Sequence, residues 1–516
     1  MNTDVLDEDG RDDAVSRRAR EVFGVSYLYP FQRLAVHNIL GACGLWEDEG
    51  AEAAPGDQII LLPTGAGKSL CFQLPAAILP GLTVVVYPLL SLMADQKRRL
   101  DGAGIASRVL RGGQQRRERE EIRSALESGE VKLLITNPET LGAEGGAALC
   151  ARAGVDHLVI DEAHCIAEWG ESFRPSYLEL GRIRGEIRPR TTTAFTATAS
   201  PPVLEGIVRH LFGGERPHVI SGNPDRPNIY YRVLPVLSKD EALAELLRSA
   251  DRPAIVFCAS RPGTEMTARY LRRRFNSGEV FFYHAGLERE EKKAVEEWFF
   301  ASRDGVLCAT CAYGMGVDKA DIRTVIHRDA PGSVEAYLQE SGRGGRDGKP
   351  CTAILLAGSG DGAWSAKNAK DSSRRAAMLA YAAQASCRRQ YLLSLLGAEC
   401  ASCGEEGRGC DMCDASAVRS PREEETILGF IKKNPRRFTP AEAARILSGA
   451  VNHRPVSGAF PALRGFGSLS RWEESGVKEA LETLLRQGKL RLCKNFFFRG
   501  RLRPGKRIPL AEGPIV

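Results

Sequence analysis

Nine short apolar runs, rich in β-branched residues and spaced by amphipathic stretches of helical period, constrain this chain more than any other feature. In order they are "QIILLP", "LTVVVYP", "VKLLITN", "HLVIDEAH", "TTTAFTATA", "PAIVFCAS", "EVFFYHAG", "GVLCAT" and "TVIHRD". A strand that is apolar along its whole length must be covered on both faces, and helices between such strands supply that cover in a parallel sheet. The runs form two series broken near "SGNPDRPNIYYRV", a Pro-bearing segment that reads as a linker. A chain of 516 residues exceeds what one core usually organises, so two α/β lobes are expected. After about Leu356 the strand pattern stops, and a helical section runs into a cluster of cysteines.

Composition narrows the setting. The 43% hydrophobic and 26% charged content is ordinary for a globular chain. No uncharged apolar run reaches the roughly 18 residues a membrane span needs. The N-terminal "MNTDVLDEDGRDD" is acidic where a secretory leader is basic and then apolar, so a cytoplasmic protein without a membrane partner is expected. The charge is unevenly placed. From Arg419 onward there are 20 Lys and Arg against 9 Asp and Glu, while the rest of the chain has 51 against 56. A basic end suits a polyanionic partner, with a solvated surface as the plain alternative.

The segment "IILLPTGAGKSLCFQLPA" reads as strand, tight turn and helix. Backbone N–H groups in such a turn, at a helix N-terminus, make a phosphate cradle. Thr64, Gly65, Ala66 and Gly67 would form the cradle, Lys68 would meet the β and γ phosphates, and Ser69 would hold Mg²⁺. The strict pattern asks for glycine where Leu62 stands, which leaves a structural glycine turn as the alternative. "HLVIDEAH" ends a strand on Asp161, suited to orient the water shell of Mg²⁺, and Glu162, suited to act as general base toward water. "YLQESGRGGRDG" places Arg343 and Arg346 one helical turn apart, where they could meet γ-phosphate charge as arginine fingers. Nucleotide hydrolysis is the reading that uses all of these.

Five of the 14 cysteines, Cys387, Cys400, Cys403, Cys410 and Cys413, fall within 27 positions. In a reducing compartment, with C-x2-C spacing, that clustering points to one tetrahedral Zn²⁺ shared among five candidates.

In order from about Phe23 to Cys413, "FGVSYLYPFQ", "LLPTGAGKSLCFQLPA", "VVYPLLSLMADQ", "VIDEAHCIAEWGESFRPSY", "AFTATAS", "DRPNIYYRV", "VFCASRPGTE", "YHAGL", "LCATCAYGMGVDKADIRTVIH" and "YLQESGRGGRDG" resemble helicase superfamily 2, and within it the RecQ family of DNA helicases. In that superfamily Pro or Ala often replaces the glycine missing at Leu62. The resemblance implies that Gln32 reads the adenine edge of ATP and that Tyr29 stacks on the base. It implies an aromatic-rich DNA-binding loop at "EWGESFRPSY", with Trp169 and Phe173 offered to unpaired bases and Arg174 to a phosphate or a catalytic carboxylate. A His-Asp pair common in the family is replaced here by Glu171 and Ser172. The family's "CRR" and "C-D-x-C" select Cys387, Cys410 and Cys413 as zinc ligands, with Cys403, or Cys400 in its place, as the fourth. A tighter set of Cys400, Cys403, Cys410 and Cys413 would leave Cys387 free.

The expected fold is therefore α/β: two RecA-like parallel-sheet lobes, a helical zinc-binding section and a winged-helix-like domain. Expected boundaries are a disordered acidic N-terminus at 1–14, lobes at 15–220 and 221–357, the zinc section at 358–418, the winged-helix-like domain at 419–500 and a basic tail at 501–516. The cofactors implied are ATP, Mg²⁺ and Zn²⁺. The partners implied are single-stranded and forked or duplex DNA, with a single-stranded-DNA-binding protein as a further one, for a monomer associated with the nucleoid if bacterial. The activity implied is 3′-to-5′ translocation and DNA unwinding in repair or recombination.

Overall fold

The computed structural model describes residues 14–45, 56–63, 66–143, 145–169, 174–197, 199–313, 319–358, 361, 372–398, 403, 409–450 and 463–505. Outside them lie nearly all of the acidic N-terminus, Thr64, Gly65, Glu171, Ser172, Phe173, Cys400 and residues 506–516; the Trp169 side chain is likewise not described. The chain divides into two compact units, Met1–Asp225 with Leu393–Ala398, and Arg226–Leu392 with Glu399–Val516. Among the described residues no helix is long and apolar enough to cross a membrane.

The first unit is built on seven parallel strands: β1 (Gln58–Leu61), β2 (Leu82–Val86), β3 (Ser107–Val109), β4 (Leu133–Thr136), β5 (Val155–Ile160), β6 (Thr191–Thr196) and β7 (His218–Ser221). Their order is β3-β4-β2-β5-β6-β1-β7. Alternation along each strand divides the apolar side chains between two cores. Ile59, Val84, Val86, Leu134, Leu158, Ile160 and Ala194 pack on one face. Ile60, Leu62, Val85, Leu133, Ile135, Val159 and Phe195 pack on the other. The threonines of "TTTAFT" are buried too, and are satisfied by partners: Thr193 Oγ1 meets His157 Nε2 at 2.9 Å, and Thr191 Oγ1 donates to the Gly56 carbonyl at 2.6 Å.

The second unit carries six parallel strands: β8 (Ile229–Val236), β9 (Ala254–Phe257), β10 (Val280–Tyr283), β11 (Val306–Ala309), β12 (Thr324–His327) and β13 (Cys351–Gly358), in the order β10-β11-β9-β12-β13-β8. It shows the same two-faced burial, with Val256, Cys308, Ile326 and Ile354 on one side and Ile255, Leu307, Ala309 and Val325 on the other. β8 is the last strand of this sheet, and it pairs with β13 over its full length.

Beyond the sheet, the helices Arg422–Lys433, Pro440–Ser448 and Glu474–Arg486 enclose a separate core of Ile427, Phe430, Leu447, Val477, Leu481 and Leu484. The second helix starts where a capping box should start it. Glu442 N donates to Thr439 Oγ1 at 3.3 Å, Thr439 N donates back to Glu442 Oε2 at 2.9 Å, and Pro440 follows. An antiparallel hairpin, β14 (Leu490–Leu492) with β15 (Leu502–Pro504), closes the module. A module ending at 500, with a tail from 501, cuts this hairpin in two. Leu502 is buried in the module core, and its N–H bonds the Phe438 carbonyl at 2.8 Å, which is why the ordered chain runs on past 500.

Candidate functional site

The phosphate-loop candidate leaves the sheet at the carboxyl end of β1. Leu62 still belongs to the sheet, because its N–H bonds the Thr196 carbonyl at 3.1 Å and its side chain is fully buried. The turn begins only after it, so the turn needs no glycine there. Gly67 sits at φ +75°, immediately before the helix Lys68–Ile78. The backbone conformation favours glycine there, and a Cβ at Gly67 would fall 2.5 Å from Gln32 Nε2 and displace that side chain. Gln32 is buried and braces the loop: its Nε2 donates to the Ala66 carbonyl at 2.9 Å, and its Oε1 accepts from Tyr29 N–H at 3.0 Å. Tyr29 is 53% exposed, stacked on Phe31 and edge-on to Tyr27. Ser69 Oγ accepts from Gln96 Nε2 at 3.4 Å, and Gln96 Oε1 in turn accepts from Gln73 Nε2 at 2.7 Å.

The carboxylates lie at the end of β5. Asp161 N–H bonds the Val86 carbonyl and Ala163 N–H bonds that of Phe195, so this corner is pinned to both neighbouring strands. Glu162 is held at φ +51°, a left-handed conformation costing a non-glycine residue about 1–3 kcal/mol. Its own N–H bonds Asp161 Oδ1 at 3.0 Å. His164 Nδ1 lies 3.0 Å from Thr196 Oγ1 and 3.4 Å from Glu162 Oε2, tying this corner to β6. Burial, and then repulsion from Glu162, push the Asp161 carboxyl up from 3.8 to about 7, with the Lys68 charge pulling the other way.

Arg174 forms a two-pronged ion pair with Glu139, Nε to Oε1 at 2.9 Å and Nη2 to Oε2 at 2.7 Å, and also donates to the Pro88 carbonyl. Ser176 Oγ donates to the same carboxylate at 2.7 Å. Burial, which alone would raise the Glu139 pKa, is outweighed by these hydrogen bonds, so its carboxyl titrates below the ordinary range.

In the second unit the helix Val334–Ser341 ends before either candidate arginine, and both sit in the turns that follow. Arg343 is buried and Arg346 half-buried, so a simple exposed helix face does not describe them.

The Sγ atoms of Cys387, Cys403, Cys410 and Cys413 all lie within 4.8 Å of one another. Four thiolates about 2.3 Å from one tetrahedral ion stand roughly 3.8 Å apart. The separations of Cys410 from Cys413 (3.5 Å) and from Cys387 (4.0 Å) bracket that figure. The loop is docked on β8: Asp411 N–H bonds the Tyr231 carbonyl at 3.1 Å, Val233 N–H bonds Asp411 Oδ2 at 3.0 Å, and Arg388 pairs with the buried Asp411.

Residues 29–206 match the DEAD/DEAH box helicase family and residues 238–348 the helicase conserved C-terminal domain. The ATP-dependent DNA helicase RecQ of Bacillus subtilis (strain 168) is 31% identical over 450 residues, covering 85% of this chain and 75% of that protein. The chain belongs to the RecQ family. The RecQ helicase of Pasteurella multocida (strain Pm70) is 36% identical over 428 residues, 80% of this chain. The match spans 66% of that relative's length, just under two thirds. In fold, the chain resembles the crystal structure of the DUF1998 helicase MrfA bound to DNA, with TM-score 0.55 at 19% identity over 82% of this chain and 60% of that one. The parallel-sheet lobes are thus RecA-like lobes of a superfamily 2 helicase.

Within this RecQ chain the first unit brings Gln32, Ala66, Gly67, Lys68, Ser69, Asp161 and Glu162 to the carboxyl end of one sheet. Arg174 stays with Glu139, and Arg343 and Arg346 belong to the second unit. Reading the sequence overlooked Gln96, His164 and Thr196, although "SLMADQ", "DEAH" and "FTATAS" all lie inside quoted motifs. The sequence also suggests a short hairpin around Lys494 and Asn495, but the exposure of Phe496 (91%) and Phe497 (84%) beside it, between Lys494 and Arg499, is seen only in the structure.

The Asp161 shift has a signed consequence. Between about pH 4 and 7 the folded chain keeps a proton that the unfolded chain has lost, so this group's contribution to stability falls as pH rises through that window and is flat above it. The nucleotide-free protein should therefore show a pH-dependent decline in melting temperature that Asp161→Asn reduces. Equal pH slopes in the two proteins would remove Asp161 from that titration.

Proposed function

We propose that this chain is an ATP-dependent DNA helicase that translocates 3′ to 5′ on single-stranded DNA and unwinds forked or duplex DNA in repair or recombination. The observation that carries the reading is the pairing, in a RecQ-family chain, of a helix N-terminus headed by Lys68 with the buried Asp161 and the half-buried Glu162 at the carboxyl end of one sheet. In this reading the backbone N–H groups of Thr64 to Gly67 and the helix dipole receive the ATP phosphates, and Lys68 offsets their charge. Asp161 and Ser69 would hold Mg²⁺, which supplies Lewis-acid charge at the phosphates. The fit is electrostatic: a carboxyl that burial keeps near neutral is one that a nearby divalent cation would ionise. Glu162, already locked in a strained conformation, takes the proton of the attacking water. Tyr29 and Gln32 meet the adenine, so the residue that reads the base also braces the phosphate turn. Arg343 and Arg346 meet the charge developing on the γ-phosphate, a role worth on the order of 10³–10⁵ in rate.

On the DNA side, Trp169 and Phe173 stack on unpaired bases while Arg174, held by Glu139, fixes the end of their loop. We assign residues 358–418 to the zinc section, with Cys387, Cys403, Cys410 and Cys413 as ligands, and the basic module from 419 to the end of the hairpin to a winged-helix-like duplex contact. The phenylalanine tip of that hairpin offers flat apolar faces flanked by cations, the combination that binds unstacked bases. The reading is of a monomer, with a single-stranded-DNA-binding protein as a further partner.

Lys68→Ala should abolish ATP hydrolysis and leave DNA binding in place. Strand displacement by the unaltered chain should need ATP and a 3′ tail, and should fail on 5′-tailed DNA and on RNA. Unwinding of RNA alone, or hydrolysis by Lys68→Ala at the normal rate, would sink the reading.

Elemental analysis should return one zinc per chain, lost in Cys410→Ser and in Cys413→Ser with a gain in protease sensitivity. Comparing Cys387→Ser with Cys400→Ser tests the ligand set; zinc loss confined to the second would replace it.

Removing the exposed tip in Phe496→Ala with Phe497→Ala should weaken forked-DNA binding by about 1–3 kcal/mol per unstacked base at unchanged melting temperature. Unaltered affinity would take the hairpin off the DNA path.

A further inference from the structure

The turn that carries Arg343 and Arg346 is held by two side chains that lie more than a hundred positions earlier in the chain. The Arg226 guanidinium donates to the carbonyls of Gly342 at 3.2 Å, Gly344 at 3.1 Å and Gly345 at 2.9 Å. Asn228 Nδ2 donates to the carbonyls of Gly345 and Lys349, each at 2.8 Å. Asn228 is itself fixed by β13, since its carbonyl accepts from Cys351 N–H at 2.9 Å. The turn lies flat on these groups. A Cβ at Gly344 would clash with Cys351 Sγ, and one at Gly345, where φ is +56°, would come 2.5 Å from both Asn228 Nδ2 and the Lys349 carbonyl. A guanidinium is the side chain that can reach three carbonyls at once, because its five donors are set in one rigid plane; an ammonium offers a single point of charge.

We propose that Arg226 and Asn228 are positioning residues for hydrolysis, fixing the backbone of the 342–349 turn so that Arg343 and Arg346 are presented in one geometry. The inference rests on the reading of those two arginines as γ-phosphate contacts. Both arginines flank carbonyls that these side chains hold, so a loosened turn displaces both together. Displacements of about 1 Å at a catalytic group cost on the order of 10²-fold in rate.

The test is steady-state ATPase at saturating DNA for Arg226→Lys, Asn228→Ala, Arg343→Ala, Arg346→Ala and the Asn228→Ala/Arg343→Ala pair, with melting curves. Arg226→Lys and Asn228→Ala should lose about 10- to 100-fold in kcat while KM for ATP stays within about twofold. In the pair, Asn228→Ala should slow hydrolysis by less than it does in the unaltered chain, because only Arg346 is left to be displaced once Arg343 is absent. Should Arg226→Lys lower the melting temperature, Asn228→Ala decides, since it leaves the guanidinium in place. Normal kcat in Arg226→Lys and Asn228→Ala beside a slow Arg343→Ala would overturn the positioning role alone, as would losses that multiply in the pair. Normal kcat in both Arg343→Ala and Arg346→Ala would overturn the reading of the arginines and this inference with it.

Discussion

Parallel pairing of β5 and β1 with β6 is the constraint on which the first unit's chemistry depends. In a parallel sheet all strands end on the same side, so chain leaving β1 and chain leaving β5 emerge together although about 100 residues separate them. The strand between them is an active spacer. Thr196, the last residue of β6, accepts Leu62 N–H on its carbonyl and meets His164 Nδ1 with its hydroxyl, and so measures the distance between phosphate turn and carboxylates from both sides. A slip of one residue in this register would turn Phe195 out of its core and carry Thr196 to the wrong face.

Electrostatics then gives that corner its direction. Asp161 is buried beside another carboxylate, with Lys68 as an offsetting charge, and it holds its proton to near neutrality. Such a group is poorly satisfied until more positive charge arrives. On the other side of the turn, neither Gln96, which donates to Ser69, nor Gln73, which donates to Gln96, brings charge; both are neutral amides, which orient the hydroxyl without competing for a cation.

Much of this was legible in the chain. All nine apolar runs overlap strands, because a strand buried on both faces cannot hide its composition. Four strands were not read. β3 and β7 are short edge strands, partly exposed, and β8, also at an edge, mixes tyrosine, arginine and proline and is only half-buried at every second position over most of its length. β13 follows a glycine turn that draws attention to its arginines instead. At the site, local motifs named Lys68, Asp161 and Glu162, whose spacing is set by single turns. They could not name Gln96 as the partner of Ser69, or Arg226 as the partner of Gly342, since those meetings are made by the fold and leave no periodic trace. The strand at Leu502–Pro504 was hidden for a similar reason: three strand residues after a turn of arginine and glycine look like a tail until Leu502 is seen in the core.

The place of the cysteine loop bears on how the protein would fail. β8 is the last strand of its sheet, and among the described residues one of its sides has no neighbouring strand. Gly409 and Asp411 bond that side at Tyr231, while the Tyr230 hydroxyl donates to Asp414 and lies within hydrogen-bond distance of Ser416 Oγ. An uncovered sheet edge presents unpaired N–H and C=O groups to any other chain that can form a strand. If the four thiolates hold the proposed ion, they guard solubility as well as local shape, because a loop released from it would uncover a templating edge.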